Sequence, residues 1–149
     1  MVELENETHW GKINISRTGG QHGTGRWAER LNPVSGFVFQ HPDEPTIYWI
    51  GDSIWCAEVK QALGKYQPDV IVCHSGGAEL GDSGPIIMDA AQTITVCKTA
   101  PTAIMIATHM EALDHCKTTR RDLQLAAEES GIDLYRLLIL DDGELVEID

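Results

Sequence analysis

Three residues of this chain combine side-chain type and setting in a way that suits metal chemistry: His22, Asp52 and His109. His22 stands in a glycine-rich loop, Thr18-Gly19-Gly20-Gln21-His22-Gly23-Thr24-Gly25. Asp52 ends the apolar run Thr46-Ile47-Tyr48-Trp49-Ile50 in a Gly51-Asp52-Ser53 turn, and His109 follows the apolar run 103–107. Two imidazoles and one carboxylate suit a divalent transition ion such as zinc or manganese. Such an ion lowers the pKa of a bound water towards ~7 and so supplies hydroxide for hydrolysis. A carboxylate at the end of a buried strand is costly unless its charge is compensated, usually by a metal ion or a helix N-terminus. Asp52 is therefore the leading single site residue, with side-chain capping of the following helix as its alternative role.

Each histidine has a plainer reading as a hydrogen-bonded or surface side chain. Shared placement raises all three residues, because open α/β sheets gather functional groups where strands end. His74, beside Gly76 and Gly77, could approach the same spot, although a structural or solvent-facing role is its first reading. His115 is a weaker candidate, and Glu111 and Asp114 could orient the histidines. The glycine loops could instead cradle a phosphate. Neither loop contains Gly-Lys-Ser/Thr or a GxGxxG pattern. Nucleophilic catalysis through Ser53 or Cys56 has no nucleophile-elbow motif behind it.

The elements that must position these residues follow from periodicity and turn chemistry. Residues 9–17 alternate apolar and polar side chains, as in a strand with one buried face. Residues 34–40 and 47–50 read as a hairpin around the turn His41-Pro42-Asp43-Glu44-Pro45. A helix is expected over 56–63, with Gly64 as its stop. Residues 69–73 are almost wholly apolar, as in a sheet covered on both faces. Asp89 can cap a helix to about Lys98, residues 103–107 form a further buried strand, and Thr118 or Thr119 can cap a helix reaching Ser130 before Gly131. Residues 134–140 and 144–148 read as closing strands around Asp141-Asp142-Gly143. The order is antiparallel strands followed by strand–helix units. The reading is an acidic lead over 1–8 and one α/β domain over 9–149, with a mixed sheet and flanking helices.

Composition narrows the function classes. At 149 residues the chain can bury a real core, and 42% apolar with 23% charged residues is ordinary for a globular protein. A formal charge of −12 argues against nucleic acid and anionic membrane surfaces, which require basic patches. No apolar run approaches the ~20 residues of a transmembrane helix. The first residues lack the basic and apolar regions of a signal peptide, so the cytoplasm is the default compartment. The four cysteines fall in four different segments without a CxxC pair and read as reduced thiols packed as small hydrophobes.

The stretch from Thr18 to Gly25, then Pro33-Val34-Ser35-Gly36-Phe37-Val38, then Tyr48-Trp49-Ile50-Gly51-Asp52-Ser53 resembles the metallo-β-lactamase-fold hydrolases. So do Pro68 to Ala78 and His109 to Cys116. The likeness is nearest the branch that includes ascorbate-phosphate lactonases, and it covers the chain from about Trp10 to the end. It matches only the C-terminal half of that family's domain. The resemblance implies half of an αββα sandwich holding zinc, with manganese or iron as alternatives. It assigns His22 to the first metal site, Asp52 to a bridging and catalytic role, and His109 to the second metal. It implies hydrolysis of an ester, lactone or phosphoester of a small molecule by metal-bound hydroxide. The family's His-x-His-x-Asp-His signature, which supplies most of the other ligands, is absent from these 149 residues. Two expectations follow. The site is completed by a partner chain or a further segment, and the unpaired sheet face belongs to an interface, with a homodimer as the first expectation. The alternative is a non-catalytic relative that serves as a binding or assembly subunit.

Overall fold

Seven strands form one mixed sheet, in chain order from edge to edge, in the computed structural model, which describes residues 7–148. Strands β1 (Glu7–Trp10), β2 (Ile13–Thr18), β3 (Gly36–His41) and β4 (Glu44–Trp49) pair antiparallel. Strands β5 (Val70–His74), β6 (Ile104–Thr108) and β7 (Leu137–Ile139) continue the sheet in parallel from β4. Short turns suffice for the antiparallel part, whereas parallel neighbours need crossover helices. Those are α2 (Ala57–Tyr66), α3 (Ala90–Thr99) and α4 (Arg120–Glu129), and α1 (Gly25–Leu31) lies between β2 and β3.

Successive side chains of a strand point to opposite faces. One row across the sheet, running in register, is Val38, Tyr48, Ile71, Met105 and Leu137, none more than 1% exposed. These side chains pack with Val59 and Leu63 of α2, Val96 of α3 and Leu123 of α4 in one core. All three crossover helices therefore cover the same face. The adjacent row, Phe37, Trp49, Val72, Ile106 and Leu138, is equally apolar but points to the other face, where Trp49 remains 47% exposed. On that face a shallow apolar concavity of about 800 Å³ is bordered by Trp10, Phe39, Ile47, Val72, Ile106 and Ile148.

The elements depart from expectation where turns and caps decide. Residues 9–17 are two strands rather than one, because Gly11 takes a left-handed conformation (φ 60°) and folds β1 onto β2. Of the acidic lead over 1–8, only Glu7 and Thr8 are described, paired with Ser16 and Ile15; the rest lies outside the described residues. Helix α1 starts at Gly25, the last residue of the glycine-rich loop, and extends over residues 26–31, for which periodicity predicts no element. Helix α2 runs past Gly64 and stops at Gln67, itself left-handed (φ 44°). Thr119, not Thr118, caps α4 in a reciprocal bond pair with Asp122. Residues 144–148 form no strand.

Candidate metal centre

Parallel pairing of β4, β5 and β6 brings three strand ends to one edge, and each ends in a candidate ligand. Asp52 lies just past β4, His74 closes β5 and His109 follows β6. One oxygen or nitrogen from each lies within 4.8 Å of the others. The His74 and His109 rings stand with centroids 4.9 Å apart. Asp52 caps nothing: Cys56 occupies the N-cap of α2 without a side-chain bond. The Asp52 carboxylate instead accepts from His74 Nδ1 at 2.6 Å.

Backbone lacing holds these loops together. Ser75 N–H donates to Thr108 O (2.9 Å), and Thr118 N–H donates to Gly76 O (3.0 Å), tying the His74 loop to both sides of His109. Glycine is required at position 76, because a Cβ there would overlap the His109 carbonyl oxygen. His109 itself is left-handed (φ 57°), an uncommon conformation for a residue with a Cβ and one that must be held by its surroundings. The Asp52 turn is fixed by Gln21 N–H donating to Ser53 Oγ (2.9 Å) and by Ile54 N–H donating to Gln21 O (2.8 Å). Ser53 Oγ also donates to Ile54 O (2.8 Å), so this hydroxyl is committed to structure.

The same stitching brings the His22 loop against the Asp52 turn. His22 acts electrostatically on both Asp52 and His109. It stands outside the tight group of three, and its Nδ1 is buried without a hydrogen-bond partner among the described residues. Such an orphaned nitrogen is costly in a protein that stays closed to other ligands. The expected set His22, Asp52 and His109 therefore lies in one region, with His74 nearer to Asp52 than sequence reasoning placed it. The available signal was register: His74 and Thr108 are paired neighbours, so His74 and His109 had to end side by side. Glu111 and Asp114 orient neither His74 nor His109, since Glu111 pairs with Arg120 and Asp114 with His115.

Protonation suits a cation. The hydrogen bond from His74 holds the Asp52 carboxyl below its ordinary range, against the opposing effect of burial, with the charges of His74, His22 and His109 assisting. Burial holds the His109 imidazole below the usual histidine value, with His74 adding to the shift and Asp52 opposing it. An ionised carboxylate beside a neutral imidazole is the state that a metal ligand set demands. These donors fit a divalent ion.

Comparison with known proteins bears on the fold. No family model matches the chain. The chain is 35% identical over 144 residues to UPF0173 protein YddR of Bacillus subtilis, covering 95% of this chain and 56% of that protein. The isothiocyanate hydrolase from Delia radicum gut bacteria superposes with a TM-score of 0.91 at 35% identity, over 99% of this chain and 59% of that one. A possible metal-dependent hydrolase from Veillonella parvula gives 0.88 at 30% identity, over 95% and 56% respectively. The metallo-beta-lactamase fold protein YhfI from Bacillus subtilis gives 0.59 at 11% identity over 87% of this chain and 48% of that one, a likeness of fold alone. The chain has the metallo-β-lactamase fold. It spans a little over half the length of YddR and of these two hydrolases. The mixed sheet with helices on one face is thus half of the αββα sandwich of the metallo-β-lactamase fold.

Proposed function

We propose that this chain supplies one half of a metal-dependent hydrolase acting on a small molecule. The observation that carries the reading is the convergence of Asp52, His74 and His109 at the ends of three adjacent parallel strands, with oxygen and nitrogen atoms within 4.8 Å. Asp52 and His109 would hold the ion, and His22, with a buried nitrogen that lacks a partner, stands ready beside them. Zinc is the first expectation, with manganese or iron as alternatives. A bound divalent ion supplies an activated water for hydrolysis. Asp52 contributes a carboxylate held ionised by its neighbours, and His109 contributes a neutral nitrogen on a rigid backbone.

The substrate class is an ester, lactone or phosphoester, to which the likeness to an isothiocyanate hydrolase adds an isothiocyanate. The bare face supports a second part of the reading: a second copy of the chain covers it, or a segment supplying the rest of the relatives' length does so. Among the described residues no helix is long and apolar enough to cross a membrane. Four free thiols fit a reducing, cytoplasmic setting.

Metal analysis of the purified chain tests the site. The expected result is bound zinc, manganese or iron in the native chain and its loss in Asp52→Asn and His109→Ala. No transition metal in any of them overturns the reading. Turnover of p-nitrophenyl acetate, a γ-lactone, bis-p-nitrophenyl phosphate and allyl isothiocyanate then separates enzyme from assembly subunit. The missing His-x-His-x-Asp-His favours the subunit if all four substrates resist hydrolysis with every metal. Light scattering tests the covering copy, and a stable monomer excludes it.

A further inference from the structure

His74 has both ring nitrogens engaged, which sets its role apart from that of His109. Its Nδ1 lies 2.6 Å from Asp52 Oδ1, and its Nε2 lies 3.3 Å from Trp49 Nε1. An indole N–H only donates. Nε2 must therefore be the accepting nitrogen, which leaves Nδ1 to carry the hydrogen that Asp52 accepts. The Trp49 ring meets the His74 ring edge-on with centroids 6.1 Å apart, so packing and hydrogen bond fix the same orientation. Trp49 is held in turn by β4, paired to Phe37 on one side and Val72 on the other.

We propose that Trp49 and His74 form a positioning relay that aims the Asp52 carboxylate, with His74 acting through its Nδ1–H rather than as a metal ligand. The relay rests on the metal reading above. It leaves the second oxygen of Asp52 to the ion and ties the site to the bare sheet face, where Trp49 stands half exposed. Outer partners of this kind change metal affinity by about ten- to a hundredfold when removed.

Amide geometry separates the two roles of His74. An asparagine amide places a donor near the position of Nδ1, whereas glutamine reaches towards Nε2. Cobalt binding to the 149-residue chain, followed by visible absorption, is compared for native protein, His74→Asn, His74→Gln, His74→Ala, Trp49→Phe and Asp52→Asn. The relay predicts a loss of about ten- to a hundredfold for His74→Ala. His74→Asn recovers most of that loss, His74→Gln does not, and the cobalt spectrum keeps its shape in His74→Asn. Trp49→Phe weakens binding several-fold. Recovery by His74→Gln but not His74→Asn, or a cobalt spectrum lacking one imidazole in His74→Asn, makes His74 a ligand and overturns the relay.

Nitrogen-15 NMR of the metal-free native chain at pH 8.5 provides a readout independent of any metal. The relay predicts the Nδ1–H tautomer for His74, and Trp49→Phe and Asp52→Asn each shift its signals. The Nε2–H tautomer in the native chain overturns it. If Asp52→Asn binds cobalt as the native chain does, the metal reading fails while the tautomer still decides the relay.

Discussion

The two faces of this sheet are built from alternate residues of the same strands, yet they live in different environments. Met105 and Ile106 are consecutive in β6 and both apolar. Met105 is 1% exposed beneath the helices, whereas Ile106 borders an open concavity. The difference shows that an apolar strand reports what the complete fold buries. In a strand such as 70–74, apolar side chains on both sides specify a sheet covered twice. Only one cover is present among the described residues, and the proposed function assigns the other to a second copy or a further segment. The site lies at the seam, because Trp49 belongs to the open row while Tyr48 beside it belongs to the covered one.

The largest expected effect breaks the covered face. Met105→Ala removes a side chain packed within the helix-covered core and should destabilise the chain by about 2–5 kcal/mol. Urea denaturation checks it. A loss below about 1 kcal/mol would mean that this core is no better packed than the open side.

Next in size is Gly76→Ala, at the point where the His74 and His109 loops cross. The new Cβ meets a backbone carbonyl that cannot swing away as a side chain would. Overpacking of this kind costs about 1–3 kcal/mol. It should also displace His109, so cobalt affinity should fall more than stability does. Native cobalt affinity in Gly76→Ala would show that the crossing does not hold the site.

Acidification probes the site itself. His109 is held below its ordinary value of 6.5 by burial, and Asp52 below 3.8 by its bond from His74. In both cases the unfolded chain takes up the proton first, so stability falls as pH falls. The His109 contribution is complete above pH 6.5 and is lost below it, towards the lower folded value; that of Asp52 is lost only below 3.8. Thermal melts of the metal-free chain between pH 7.5 and 5 should show a decline that is shallower in His109→Gln. Equal slopes would remove His109 as the cause.

Legibility in the sequence followed the range of the interactions. Strands β3, β5 and β6 and helices α2, α3 and α4 were visible because periodicity, turns and caps are local. The position of Asp52 at a strand end was visible for the same reason, and the gathering of functional groups at strand ends grouped it with His109. Helix α1 was hidden because its seven residues begin at a glycine and carry only a short apolar stripe, Trp27 and Leu31, half-buried against Ile86 and Ile87. The closing residues 144–148 are apolar at Leu145, Val146 and Ile148 but join no ladder with a described strand, and pairing is a tertiary property. His74 was underrated because its role depends on Trp49, a side chain whose exposure no sequence pattern reveals.

The smallest expected effect is also the one that sharpens the comparison most. Ile106→Thr keeps β-branching, and hence strand propensity, while adding a hydroxyl to the open face. If the face is bare in solution, the hydroxyl meets water and stability should change by no more than about 0.5 kcal/mol. If a second copy covers it, the same hydroxyl is buried without a partner and costs about 1–3 kcal/mol. That cost should then depend on protein concentration, because it acts through association. A loss of that size that is independent of concentration would mean that this face is already closed within one chain. Denaturation of Ile106→Thr and native protein at two concentrations a hundredfold apart distinguishes the three. The Met105→Ala cost should stay the same at both concentrations if the chain folds before it pairs. Consecutive residues of one strand thus separate the energy of folding from that of association.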